Sequence, residues 1–207
     1  MKSNDLKKWI AGGLALAVFL FLGFRVLSVK QSNLLLIQKA AIKSPDFSFK
    51  DQSGRLFSSD ELKGKVWVAD FIFTSCAGTC PLLSQQMRLL QEKWKGNPRF
   101  KLVSFTVDPE RDTVKALNKY ASDLQADENQ WVFLTGAKKD LYKVDREGFK
   151  VTAEVNPQPI PGFEFIHTTI MVLVDRNGLI RGYYDGSMED EMKKLNQDVK
   201  FLMGWGG

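Results

Sequence analysis

The chain has 207 residues, of which 44% are hydrophobic and 26% are charged, values that suit one sizeable globular domain plus an appendage. Its formal net charge is +5, but residues 1–45 alone carry +6, so the rest of the chain sums to −1. This distribution argues against a nucleic-acid-binding domain, because such domains present a basic surface.

The N-terminal region contains sixteen uncharged, apolar residues, 9–24, with Lys8 before them and Arg25 after them. A membrane-spanning helix needs about 20 residues, and apolar residues among 26–29 extend the stretch if Arg25 reaches the interface. We therefore predict a signal-anchor transmembrane helix over residues 1–30. A cleaved signal peptide is the alternative, although no small-x-small cleavage site is evident. The few residues before the stretch are too short for an organellar transit peptide, which indicates a single-pass protein of the bacterial inner membrane.

A linker over residues 31–44, which includes a short helical stalk, is predicted to connect this anchor to a domain over residues 45–207. The domain begins with a hairpin, because a turn at Asp51–Gly54 separates two apolar segments. Capping residues from Ser58 onward then predict one short helical turn.

Strands and helices alternate through the rest of the domain. The apolar patterns predict strands over residues 66–73, 100–107, 131–134, 168–174 and 179–184. They predict helices over residues 81–94, 113–124, 138–147 and 188–202, and an irregular loop over the proline-rich residues 151–165. This order predicts an α/β fold with a thioredoxin-like mixed sheet flanked by helices.

The only two cysteines, Cys76 and Cys80, lie between a buried strand and a helix. Residues four apart share one side of a helical turn, so one metal ion could bridge both sulfurs. A disulfide is also possible after a small approach of the two Cβ atoms, and an inert buried pair is the simplest alternative. A helix N-terminus lowers the pKa of a thiol, which favours the thiolate that binds metals and attacks disulfides.

His167 is the only histidine, and it precedes a late strand. In a thioredoxin-like sheet this position passes close to the cysteine loop, which makes His167 a candidate third metal ligand. Two thiolates and one imidazole form a soft ligand set that suits copper. Asp108 is a candidate fourth ligand or a partner of a ligand, and an ordinary turn residue is its alternative. Asp70 interrupts an apolar strand and requires a polar partner.

Four segments together are similar to those of one known family. They are Asp70–Pro81, Ser104–Thr113, Trp131–Gly136, and His167 with Val172–Asp175. In them the chain resembles the Sco/SenC family of copper-binding assembly factors for cytochrome c oxidase. The family often has proline after its first cysteine, where this chain has Ala77.

This resemblance implies a thioredoxin-like fold with Cys76, Cys80 and His167 as ligands of Cu(I) or Cu(II). It also implies a membrane-tethered domain that faces the periplasm. Such a domain delivers copper to the CuA site of cytochrome c oxidase subunit II or to another acceptor, or it reduces cysteines of that subunit with a thiol reductant protein as a further partner.

A copper chaperone, rather than an enzyme, is therefore the leading hypothesis. The alternative is a thiol–disulfide oxidoreductase in which Cys76 attacks and Cys80 resolves, although three residues separate the cysteines where two are usual. A peroxidase needs proline and threonine before its cysteine at a spacing that is absent here. A structural zinc site is the weakest hypothesis, because zinc usually takes four protein ligands.

Overall fold

The computed structural model describes residues 42–76, 78–151, 154–155, 165–166 and 169–204, which all belong to one compact unit, Ala40–Gly207. The strands are β1 (Ile42–Lys43), β2 (Ser48–Lys50), β3 (Leu56–Ser58), β4 (Val66–Ile72), β5 (Phe100–Thr106), β6 (Trp131–Leu134), β7 (Glu154–Val155), β8 (Phe165–Ile166), β9 (Ile170–Val174) and β10 (Leu179–Asp185). The helices are a 3-10 turn (Ser59–Leu62), α1 (Cys80–Lys93), α2 (Val114–Asp123), α3 (Lys138–Lys143), a π-helical turn (Val144–Phe149) and α4 (Glu189–Leu202).

Six of these strands form one mixed sheet in the order β1-β10-β9-β4-β5-β6. β4, β5 and β6 run parallel, whereas β9 runs antiparallel to β4. β2 and β3 form the predicted hairpin, with Phe49 opposite Phe57. The predicted mixed sheet is therefore confirmed. All seven residues of β4 are buried, as expected for a central strand with an almost continuous apolar sequence.

Helical segments cover both faces of the sheet. Trp67 and Phe71 of β4 point to one face, because side chains of a strand alternate. There they pack edge-on against Phe149 of the π-helical turn, with ring centroids 5.9 and 5.6 Å away. On the other face, Tyr120 of α2 contacts the ring of Phe133 in β6 at 5.9 Å. The carboxyl ends of β4 and β5 consequently emerge at one edge, between two helical layers.

A buried glutamine in the β2–β3 turn supplements the backbone bonding of β6. The Gln52 amide donates to the carbonyl of Trp131 at 3.2 Å and accepts from the N–H of Phe133 at 2.9 Å. The Gln52 side chain thus satisfies backbone groups of the edge strand β6 that a neighbouring strand would otherwise bond. Unpaired backbone groups in a buried sheet edge are costly.

Three segments differ from the sequence prediction. The helix predicted over residues 138–147 leaves the α-conformation after Lys143 and ends at Lys150, whose φ is 57°. The π-helical turn ends at Phe149, whose ring packs in the aromatic core against Trp67 and Phe71. β7 and β8 pair within the region predicted as an irregular loop. Ile42 and Lys43, expected to end a helical stalk, instead extend the sheet beside β10.

The predicted anchor over residues 1–30 lies outside the described residues. Among the helices that are described, none has both the length and the apolar character required to span a bilayer.

Candidate metal centre

The cysteine loop starts where β4 ends in the middle of the sheet. Phe73 follows Ile72, and a turn at Thr74–Ser75 is closed by a hydrogen bond from the Cys76 N–H to the Phe73 carbonyl at 3.2 Å. Cys80 is the first residue of α1, with Pro81 in the first turn, where a missing N–H costs nothing. This local geometry places both cysteines at the carboxyl edge of the central strands.

The two cysteines lie side by side as thiols, and no disulfide joins them. Their side chains form a hydrogen bond with each other. Only Cys80 belongs to the helix, whereas Cys76 lies in the loop before it, so the expectation that both share one helical turn was wrong. Cys76 is half-buried and Cys80 is fully buried. A solvent-borne reactant therefore meets Cys76 first.

The environment keeps Cys80 protonated. The hydrogen bond with Cys76 is the largest cause that raises the pKa of the Cys80 thiol, and burial adds to it. The backbone N–H of Phe73 donates to the Cys80 sulfur and lowers the pKa only in part. The predicted lowering of the pKa by the helix N-terminus is thus wrong for Cys80, because the neighbouring Cys76 side chain and the dry environment outweigh the aligned amides.

Asp70 has the polar partner that its position in β4 required. The Ser104 hydroxyl donates to Asp70 Oδ1 at 2.5 Å, and the Trp131 indole N–H donates to that hydroxyl at 2.9 Å. Asp70 is completely buried. Burial raises the pKa of its carboxyl to about 7, although the Ser104 hydrogen bond pulls it downward. The negative charge of Asp70 also contributes to the raised pKa of Cys80.

Asp108 lies just beyond β5 and is buried, with Arg111 Nε 3.3 Å from its Oδ2. Within the described ranges, no three histidine, cysteine or acidic side chains are arranged to hold a metal ion. His167 lies outside the described residues, between β8 and β9, and its role stays a prediction, as does that of Asp108.

Sequence reasoning missed Asp112, which connects the cysteine loop to the end of β5. Its carboxylate accepts hydrogen bonds from the N–H and the hydroxyl of Thr74 and from the hydroxyl of Thr106. Thr74 lies 38 residues earlier in the chain, so no local pattern predicts this contact. The only sequence signal was the presence of Asp112 in one of the segments that resemble the family.

The comparisons with known proteins agree with this architecture. The family model described as SCO1/SenC matches residues 37–203. The chain belongs to the SCO1/SenC family. A relative, the SCO1 protein homolog of Bacillus subtilis (strain 168), is 35% identical over 156 residues, which are 74% of this chain and 79% of the relative. The recognition of the family from its motifs is therefore confirmed.

Solved structures of SCO1/SenC proteins share the fold. A SCO1/SenC family lipoprotein from Bacillus anthracis str. Ames is 31% identical, with a TM-score of 0.71 over 80% of this chain and 98% of that one. BsSco, described as a member of the Sco family of cytochrome c oxidase assembly proteins with a disulfide switch, is 32% identical, with a TM-score of 0.68 over 79% and 94%. Bradyrhizobium japonicum ScoI, solved with copper bound, is 26% identical, with a TM-score of 0.61 over 75% and 98%. The predicted thioredoxin-like α/β fold of this SCO1/SenC chain is thereby confirmed.

Proposed function

We propose that this chain is a copper chaperone that binds copper through Cys76, Cys80 and His167 and delivers it to the CuA site of cytochrome c oxidase subunit II. The observation that carries the proposal is the pair of adjacent thiols at the carboxyl edge of β4. Thiolate sulfur and imidazole nitrogen are ligands that copper accepts. The copper-bound structure of the family member from Bradyrhizobium japonicum supports the same cargo.

The unequal burial of the two cysteines suggests an order for transfer. An acceptor cysteine would reach the half-buried Cys76 before the fully buried Cys80. Copper would therefore leave by ligand exchange, with Cys76 released first and Cys80 last. Both thiols must lose their protons when copper binds, so binding releases protons to the solvent.

The decisive test of the proposal is the effect of His167→Ala on Cu(II) binding by the reduced protein. Removal of a ligand should weaken Cu(II) binding by more than about tenfold, because even residues that only support a ligand contribute about tenfold or more. Competition titration with a chelator of known affinity measures the change, and thiol counting must still return two thiols. Unchanged Cu(II) affinity would contradict the assignment of His167.

The second candidate function is thiol–disulfide exchange, which the hydrogen-bonded thiols and the disulfide switch described for BsSco favour. The Cys76 thiolate would attack a substrate disulfide and release one substrate thiolate. Cys80 would then give up its proton, attack the sulfur of Cys76 and release the second thiolate. This reaction needs no imidazole, so full reductase activity in His167→Ala, together with unchanged copper affinity, would favour it.

We also propose that residues 1–30 anchor the protein in the bacterial inner membrane, that the linker predicted over residues 31–44 ends where β1 begins at Ile42, and that the domain that follows faces the periplasm. The apolar stretch at residues 9–24 supports this placement. The full chain expressed in bacteria should stay in the membrane pellet after alkaline carbonate extraction, whereas a chain that starts at residue 31 should be released. Release of the intact, uncleaved full chain would contradict the anchor.

A further inference from the structure

We infer that Asp112 is a positioning residue for the cysteine pair: its carboxylate fixes Thr74 and thereby the backbone of Phe73, which contacts both cysteines. This inference deepens the proposed function, since it takes the cysteine pair as the functional site. It concerns the relative placement of the two sulfurs, which matters equally for copper binding and for disulfide formation.

The contacts of Asp112 converge on one point at the edge of the sheet. Its side chain is completely buried. The Thr74 N–H lies 3.2 and 3.1 Å from the two carboxylate oxygens, and the Thr74 hydroxyl lies 2.5 Å from Oδ1. The Thr106 hydroxyl donates to Oδ2 at 2.5 Å. One carboxylate therefore joins the cysteine loop to the end of β5.

Phe73 transmits this restraint to both cysteines. Its carbonyl accepts the hydrogen bond from the Cys76 N–H, and its own N–H donates to the Cys80 sulfur. On one side Phe73 continues the fixed strand β4, and on the other side it is bonded to Thr74. Release of Thr74 from Asp112 would thus loosen the backbone that sets the distance between the two sulfurs.

A carboxylate is costly to bury at this position. Burial raises the pKa of Asp112, which means that the folded chain bears a desolvation cost to keep the group there. Three donors offset that cost, and hydrogen bonds to an ionised acceptor are stronger than neutral ones. Asparagine could still accept from Thr74 through its oxygen and donate to the Thr106 hydroxyl. Asp112→Asn is therefore a conservative replacement, whereas Asp112→Ala removes the connection.

The test compares three variants with the native chain. Asp112→Ala should destabilise the Cys76–Cys80 disulfide relative to dithiothreitol and weaken Cu(I) binding, each by about tenfold, because a loosened loop lowers the preorganisation of the two sulfurs. In the first measurement, oxidised dithiothreitol takes two protons and two electrons from the thiols as the disulfide forms. Asp112→Asn should restore both values to within about threefold of the native ones.

Asp175→Asn is the matched control. Asp175 is also a buried carboxylate that fixes a turn, since it accepts from the N–H groups of Asn177 and Leu179. It lies at the opposite edge of the sheet, because Val174 pairs with Trp67 near the start of β4. This variant should lose stability in urea and keep the native disulfide equilibrium and copper affinity.

The outcomes separate the inference from the proposed function. Native values for Asp112→Ala, or equal shifts in Asp175→Asn, would overturn the positioning role. If Asp112→Ala does not fold, Thr74→Val is the test, because it removes only the hydroxyl contact to Asp112. It should shift both the disulfide equilibrium and the Cu(I) affinity by about threefold. No shift in Thr74→Val would also overturn the positioning role of Asp112. If the native chain binds no copper, the chaperone proposal fails, but the disulfide equilibrium still tests the positioning role of Asp112.

Discussion

Cys76→Ser and Cys80→Ser are each expected to lower the Cu(I) affinity of the reduced protein by more than about 100-fold. Residues that merely support a ligand contribute about 10–100-fold, so loss of a ligand must exceed that range. A serine hydroxyl keeps almost the same size but supplies no thiolate, the soft donor that Cu(I) selects. Competition with a Cu(I) chelator of known affinity gives the ratio for each variant.

The matched control for these variants is Ser75→Ala. Ser75 is exposed and precedes Cys76 directly, so its replacement disturbs the same turn without changing a sulfur. It should bind Cu(I) as the native chain does. If one cysteine variant keeps native affinity, the two sulfurs do not share one ion, and thiol–disulfide exchange becomes the better account of the pair. Urea unfolding of each variant confirms that a loss reflects the site and not the fold.

The elements that the sequence predicted well are the strands and helices whose apolar pattern lies within a short stretch of the chain. The apolar run Val66–Ile72, interrupted only by Asp70, predicted a covered strand, and the apolar stripe after Cys80 predicted a helix packed on the sheet. Because a helix follows a parallel strand at its carboxyl end, the cysteines had to lie at the sheet edge. The position of the candidate site at the sheet edge could therefore be predicted from the order of strands and helices in the sequence.

Features that depend on contacts between residues far apart in the chain could not be predicted from the sequence. Asp112 meets Thr74 across 38 residues, and Gln52 meets Phe133 across 81, so neither pairing leaves a periodic signal. The predicted direction of the pKa shift of Cys80 was wrong because that shift also depends on distant contacts. A helix N-terminus is visible in a sequence, but the thiol beside Cys80 and the depth of its burial are visible only in three dimensions. The partner of Asp70 was anticipated in kind, and the structure identifies it as Ser104.

Asp70 should make the domain less stable as pH rises between about pH 4 and pH 7. Unfolded, its carboxyl loses the proton near its ordinary pKa of 3.8, whereas in the fold burial raises the pKa to about 7. Within this window the native state binds one more proton than the unfolded state, so the free energy of unfolding falls as pH increases. About three pKa units correspond to a loss of at most about 4 kcal/mol, complete above pH 7.

Asp70→Asn isolates this contribution. Its amide oxygen can still accept from Ser104, and Oδ2 of Asp70, where the amide nitrogen would sit, has no hydrogen-bond partner in the described part of the chain. Asparagine stays neutral, so urea unfolding at a series of pH values should show the native chain losing stability relative to the variant across the window. Asp123→Asn, on the exposed side of α2, should follow the native curve. Parallel curves for the native chain and Asp70→Asn would mean that Asp70 is already ionised at low pH, and therefore that a donor or a positive charge beyond Ser104 compensates its burial.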